Sequence, residues 1–452
     1  MKKRVLIVAS CLAVLPLMAL LASGCNQVDQ VAADLGLSGL LPQRTTVAAT
    51  LPDETPTGIS TPQTEVDITR TPSPPQVLTI WVPPEFAPDG GSLAGRLLEE
   101  RLDAFVQDNP QVEAVEVRVK AIAGPSNLLD SLSAANAAAP EALPALVALR
   151  RTDLETAAIK GLIYPMDDLT SIIDGPDWYP YAEQMALIQG SVYGLPFAGD
   201  ALLLVYRPAA INSAPRNWEE LLEEGKPLLF PLADPQAIVT LALYQSAGGS
   251  IRDTQNRPIL DPAVLAQILS IYQKGAQKGV FPAWLAEYAT DGQAWQGYQE
   301  RRADWMITWS ARYLGELPVD TAAVPLPSLG EDAFTLASGW SWALADPDPE
   351  RQVLSKDLAE YLVDTAFLAT WAEPSGYLPT RPSSLTSWTN QSLRSLINQI
   401  VLSAVVRPST DLVSSLGPVL EESALQVIQY KAAPETQAQT ASERLAIPEL
   451  NK

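Results

Sequence analysis

Two carboxylate pairs, Asp167-Asp168 and Asp346-Pro347-Asp348, are the residues most suggestive of acid–base chemistry. A glycoside-cleaving site needs two carboxyls about 5–10 Å apart across its substrate. Neighbouring residues on a strand or turn point apart, so both pairs are expected as helix caps and solvated turns. Histidine is absent from the 452 residues. That excludes a Ser-His-Asp triad, a Cys-His pair and a histidine-ligated zinc. Only Cys11 and Cys25 supply a thiol. Gly248-Gly249 is too short to cradle a phosphate. No catalytic residue, cofactor or metal is expected. An enzyme built wholly from carboxylates, or from a Ser-Lys pair, stays open.

Lys and Arg number 30 against 52 Asp and Glu, a net charge of -22. So acidic a surface repels nucleic acid and anionic lipid headgroups. No nucleic-acid partner is expected. The basic start Met1-Lys2-Lys3-Arg4, the apolar residues 5–22 and the small Ala22-Ser23-Gly24 before Cys25 form an export signal. The segment resembles a bacterial lipoprotein signal peptide over 1–24. That resemblance implies lipidation of Cys25, attachment to the membrane through this N-terminal lipid only, and a place in the cell envelope, on the outer face of the cytoplasmic membrane or in the periplasm. An uncleaved anchor and an ordinary signal peptide are the alternatives. Without Lys2, Lys3 and Arg4 the mature chain has 27 cationic against 52 anionic side chains, or -25. With Cys25 as the lipid site it has no free thiol and no disulfide.

Residues 25–76 read as a disordered tether. Its second half holds Pro52, Pro56, Pro62, Pro72, Pro74 and Pro75 among Thr, Ser and acidic residues, too polar to fold alone. Residues 28–41 have spacing compatible with a short helix. A tether of this length spans roughly 40 Å on average. The body begins at Val77 with a buried strand over 77–82. Helical spacing follows over 93–106, a strand over 115–119, a helix over 128–139, a strand over 145–149 and a helix over 153–160 stopped by Gly161. Further on come a strand over 202–206 and helices starting at 218, over 262–275, over 354–370 and over 412–430, with Pro418 expected to break or kink the last. Alternating strands and helices predict an α/β fold with a parallel or mixed sheet covered on both faces. The body exceeds one ordinary core, so two lobes are expected.

In this order the chain resembles the maltose-binding-like solute-binding proteins of bacterial ABC importers, from about 77 to 447. Leu78-Thr79-Ile80-Trp81 with Phe105 and Asn109-Pro110 is similar to the family's opening strand and helix. Gly161-Leu162-Ile163-Tyr164-Pro165-Met166 and Tyr193-Gly194-Leu195-Pro196-Phe197 followed by Asp200 match later stretches. Pro215-Arg216-Asn217-Trp218-Glu219-Glu220-Leu221 resembles a Pro-x-Thr-Trp-x-Glu-Leu turn, with Asn217 for threonine. Ala303-Asp304-Trp305-Met306 and Gly376-Tyr377-Leu378-Pro379-Thr380-Arg381 complete the set. Arg207 stands where an asparagine is usual.

The resemblance implies a two-lobed periplasmic-binding-protein-like fold with three hinge crossings and a ligand cleft between the lobes. Lobe one would hold 77–200 and 337–380, lobe two 201–336 and 381–448. It implies a monomeric lipoprotein that captures a small solute, most often a carbohydrate, for an ABC permease. An enzyme acting on envelope polysaccharide, and a sensing or scaffold lipoprotein on the same fold, are the alternatives.

A carbohydrate offers hydroxyls and flat apolar ring faces, which carboxylates, guanidinium groups and aromatic rings recognise. Candidates therefore follow strands. Glu85 and Phe86 follow the first strand; Arg151, Thr152 and Asp153 follow the third, where Asp153 could equally cap a helix. The resemblance puts Asp200 at the first crossing, where the family often uses an acidic residue to hold a sugar hydroxyl, and so implies it as the foremost acceptor. Trp309 and Arg312 follow Met306-Ile307-Thr308. Trp340 and Trp342 alternate on one side of a strand, one of them as platform and the other as core. Tyr377 and Arg381 lie at the third crossing; Arg381 could instead pair with a carboxylate.

Overall fold

The computed structural model describes residues 75–211, 213–330 and 332–446. The signal segment, Cys25, the tether up to 74 and its 28–41 segment lie outside the described residues. Eleven strands and sixteen α-helices are present among them. The strands are β1 (Gln76–Val82), β2 (Val112–Val119), β3 (Leu146–Arg150), β4 (Leu187–Ile188), β5 (Ser191–Val192), β6 (Leu195–Tyr206), β7 (Leu228–Leu229), β8 (Trp305–Trp309), β9 (Ala322–Pro325), β10 (Thr335–Leu344) and β11 (Ala404–Val406).

Nine strands form one mixed sheet in the order β2-β1-β3-β10-β6-β8-β7, with β11 on β10 and β9 on β6. β1 is parallel to β2 and β3, and β10 runs antiparallel to both β3 and β6. The two long strands are shared between two sets of partners. Residues 195–201 of β6 pair with β10, whereas Leu202 to Tyr206 pair with β8 and β9. The apolar run Ala201-Leu202-Leu203-Leu204-Val205 is buried throughout, as expected of a strand covered on both faces.

Two glycines set the closeness of the sheet's centre. Gly199 of β6 lies opposite Gly339 of β10. A Cβ on Gly199 would stand 2.1 Å from the Tyr181 hydroxyl, and one on Gly339 would stand 2.2 Å from the Ala198 carbonyl oxygen. Leu378 exchanges backbone hydrogen bonds with Gly199, at 2.8 Å each way. Thus the three segments expected as crossings, β6, β10 and the stretch at 377–381, touch at Gly199.

The helices form for local reasons. Asp261 caps helix Pro262–Lys278 by accepting from the Ala263 and Val264 amides, Pro262 opens it, and Gly279 closes it in the left-handed region. Its buried residues Leu265, Ile268, Leu269 and Tyr272 recur at helical spacing. Asn217 caps helix Trp218–Glu224 in place of the expected threonine, and the Trp218 indole N–H donates to the Pro327 carbonyl. Arg207 is buried and donates to the Tyr298 and Ala303 carbonyls and to Asp320.

Three expectations are corrected. The segment 354–370 is two helices, Pro349–Leu362 and Thr365–Ser375, because the Asp364 carboxylate accepts from the Ala366 and Phe367 amides and starts a new one. Helix Thr410–Ile428 continues through Pro418 instead of breaking there. Asp346 is no solvated turn residue: it is buried, ion-paired to Arg351 at 2.9 Å and accepts from the Asp348 amide. Asp348 does cap a helix, and Asp168 pairs with Lys356. No helix among the described residues is long and apolar enough to cross a membrane.

Candidate functional site

A cleft of about 850 Å³ opens where both sets of strands end. β3 and the helix Arg151–Ile159 after it contribute Arg150 and Thr152, and the short turn after β1 contributes Glu85. The centres of β6 and β10 contribute Asp200 and the run Ser338-Gly339-Trp340. The end of β8 supplies Trp309, and the helix Ser310–Glu316 behind it supplies Ala311 and Arg312. The far wall comes from Pro231, Asp234, Gln236, Asp291, Arg407, Thr410 and Ser414, with Tyr377 at the opposite side's crossing.

Asp200 is held from behind. Its Oδ1 accepts the Ser310 hydroxyl at 2.8 Å and the Ala311 amide at 2.9 Å, at the start of helix Ser310–Glu316. Its Oδ2 makes no hydrogen bond among the described residues. Burial pushes the carboxyl up to about 7; the Ala311 and Ser310 donors oppose that rise without cancelling it. One oxygen is thus fixed and the other carries no hydrogen bond among the described residues.

The other charges are mostly paired. Arg150 lies 3.5 Å from Glu85 and 4.8 Å from the Trp340 ring centroid. The Tyr377 hydroxyl donates to Glu85 at 3.4 Å. Asp291 accepts from Thr308 at 2.6 Å and from Arg312 at 3.3 Å. Burial raises the Asp291 carboxyl, opposed by Thr308 and Arg312. Each Asp291 oxygen thus accepts one hydrogen bond, Oδ1 from Thr308 and Oδ2 from Arg312.

Trp340 and Trp342 are equally buried, each 2% exposed, and differ in what they face. Trp309 is half-buried on the cleft wall. Trp340 also lines the cleft, though Arg150 lies over its face. Trp342 does not line the cleft and stacks on Phe197 in the core, with centroids 4.7 Å apart.

Seven of the residues expected from sequence line the cleft: Glu85, Thr152, Asp200, Trp309, Arg312, Trp340 and Tyr377. Four do not. Phe86 is buried among Phe197, Trp340, Trp371 and Tyr377. Arg381 is buried over Trp178, donates to the Val363 carbonyl and faces Asp177 at 3.7 Å, the carboxylate pairing foreseen as its alternative. Arg151 and Asp153 sit in the first turn of a helix behind the cleft wall. Burial raises the Asp153 carboxyl, offset by Arg150. β3 ends at Arg150 rather than Leu149, so the cleft-lining arginine is one residue earlier than expected. Asp234, Gln236, Asp291, Arg407 and Thr410 were not singled out from sequence. Asp291 and Thr410 open helices and Asp234, Gln236 and Arg407 lie in loops, all from distant parts of the chain; the apolar Ala404-Val405-Val406 before Arg407 is a local signal that could have found one of them.

Residues 100–393, 294 of the 452, match the family described as "Bacterial extracellular solute-binding protein". The chain belongs to this family, which places it outside the cytoplasm, in the periplasm or envelope. It is 23% identical over 228 residues to the maltodextrin-binding protein MdxE of Bacillus subtilis (strain 168), a match covering 44% of this chain and about half, 53%, of that relative. Among solved structures it resembles the sugar-binding protein MalE from Xanthomonas citri, with a TM-score of 0.67 and 19% identity over 83% of this chain and 97% of that one. The cyclic alpha-maltosyl-1,6-maltose binding protein from Arthrobacter globiformis gives 0.66 and 16% over 84% and 100%. These likenesses establish the periplasmic-binding-protein-like α/β fold.

Proposed function

We propose that the cleft captures a carbohydrate and that the chain delivers it to an ABC importer permease without catalysing a reaction. The observation that supports this most is Asp200: a carboxylate with one oxygen fixed by Ser310 and Ala311 and the other unbonded, in the same cleft as Trp309. Such an arrangement accepts a sugar hydroxyl while an indole covers ring C–H surface. A volume of about 850 Å³ has room for more than one sugar ring. The names of the relatives, which concern maltodextrins and related sugars, point the same way.

On this reading the body has two lobes. One holds 77–200 and 337–386, the other 201–336 and the residues from about 390. Helix Pro382–Thr386 is grouped with the first lobe on this reading; Ser383 bonds Asp177 and the helix packs on Thr365–Ser375, which supports that grouping. The lipid on Cys25 is proposed as the sole membrane attachment, with a monomeric body. Replacing Cys25 with serine should then free a folded body from membranes; a variant that stays tightly bound after signal removal would contradict it.

A thermal-shift screen with sugars, polyols, amino acids and polyamines tests the solute class. A true ligand at 100 times its Kd adds about 2.7 kcal/mol of stability. Stabilisation by amino acids or polyamines and by no carbohydrate would refute the reading.

A further inference from the structure

The guanidinium groups around the cleft differ in how they are satisfied. Arg150 pairs with Glu85 and Arg312 with Asp291, both within 3.5 Å. Arg407 also lines the cleft, beside Thr410 and Ser414, yet among the described residues no carboxylate lies within 4.0 Å of it. Its Nη2 donates to the Gln236 side chain at 2.9 Å, and its Nε is buried with no acceptor. Arg151, close behind, has a buried Nη1 with no acceptor either. The carboxylates that could have served are committed elsewhere. Glu155 accepts from the Thr410 amide and hydroxyl at 3.0 and 3.1 Å, and Asp234 accepts from the Gln236 amide at 3.0 Å. Burial lowers the affinity of both guanidiniums for their proton. Asp234 and Glu155 offset that at Arg407 from a distance, and the Arg151 charge adds to it. Unmet buried donors are costly, and a guanidinium fork is matched best by a planar or tetrahedral oxyanion.

We propose that Arg407, backed by Arg151, forms a subsite for an oxyanion carried on the carbohydrate, so that the chain selects acidic saccharides, bearing a carboxylate or a sulfate ester, over neutral ones. This rests on the carbohydrate reading above. The acidic surface of the whole chain makes such selection depend on this corner, because elsewhere an anion meets repulsion.

The test is calorimetric titration of the mature chain with matched trisaccharides in the gluco, galacto and manno series. Each sugar is presented with a C6 hydroxymethyl, a C6 carboxylate or a 6-O-sulfate. The expected result is at least one acidic trisaccharide binding roughly tenfold or more tightly than its neutral counterpart. The carboxylate and sulfate arms distinguish the two sources of oxyanion. The preference should shrink as salt rises, and Arg407→Gln should reduce it to less than about threefold, chiefly by weakening the acidic sugar. A purely structural arginine would instead lower the melting temperature and keep the preference. Neutral sugars binding as well as or better than acidic ones would overturn the inference and leave the carbohydrate reading intact. Binding of no saccharide in any arm would overturn both. Should Arg407→Gln fail to fold, the preference and its salt dependence in the parent chain still decide.

Discussion

At the scale of the residue, Asp200 makes the cleft sensitive to pH. Its carboxyl is raised to about 7 in the folded chain, against roughly 3.9 when unfolded. The folded state thus holds a proton that the unfolded state has released, so stability from this group falls as pH rises from about 4 to 7 and then levels. Asp200→Asn should flatten that slope in pH-dependent melting of the unliganded protein; an unchanged slope would assign it to other groups. A sugar hydroxyl donating to the free oxygen favours the ionised form, so affinity should rise with pH through about 7. The asparagine variant should lose that dependence and bind about tenfold more weakly or worse. Equal affinity in variant and parent would remove Asp200 from the site. The tryptophans test the same division. Trp342→Ala should cost about 3–5 kcal/mol of stability, as for an indole deleted from a core. Trp309→Ala should instead weaken sugar binding with a smaller drop in melting temperature. The cleft positions of Asp200 and Trp309 were legible from sequence through the family resemblance, which puts the first at a crossing and the second at a strand end. Arg407 and Asp291 were not, since their value comes from long-range proximity that no local pattern records.

At the scale of the element, the centre of the sheet tolerates little change. Gly199 and Gly339 face each other, and Tyr181 fills the space beside them while its hydroxyl donates to the Pro379 carbonyl. Gly199→Ala would drive a methyl into that hydroxyl, and overpacking of this kind costs about 1–3 kcal/mol. Denaturant unfolding should show that loss; a melting midpoint equal to the parent's would mean that Tyr181 moves aside freely. β6 also shows how local reading fails. Pro196, Gly199 and Asp200 interrupt the strand pattern, so sequence supports only 202–206, whereas pairing with β10 extends the strand back to Leu195. Pro418 is the converse. A helix-interior proline costs about 3 kcal/mol. Leu412, Val413, Leu416, Val419, Leu420, Ala424 and Val427 bury one face along the full helix, and that packing offsets the lost hydrogen bond.

At the scale of the whole molecule, the walls of the cleft come from strands that share only β6 and β10. Trp340 and Arg150 stand on one side, Trp309 and Arg312 on the other, with Asp200 between them on a shared strand. A ligand that touches both walls binds an approached arrangement better than a separated one, and only that difference in affinity can shift the balance between them. The side chains also argue for movement. Trp340 is covered by Arg150, so a sugar ring stacking there would have to displace the guanidinium toward Glu85. Small-angle scattering of the mature chain should therefore show a smaller radius of gyration once a saturating saccharide is present. The decrease should be lost in Trp309→Ala at a saccharide concentration that saturates the parent, because the second wall would no longer be held. A profile identical with and without saccharide, at a concentration where calorimetry shows the site filled, would mean that one wall alone binds the ligand and that the shared strands act as a rigid frame.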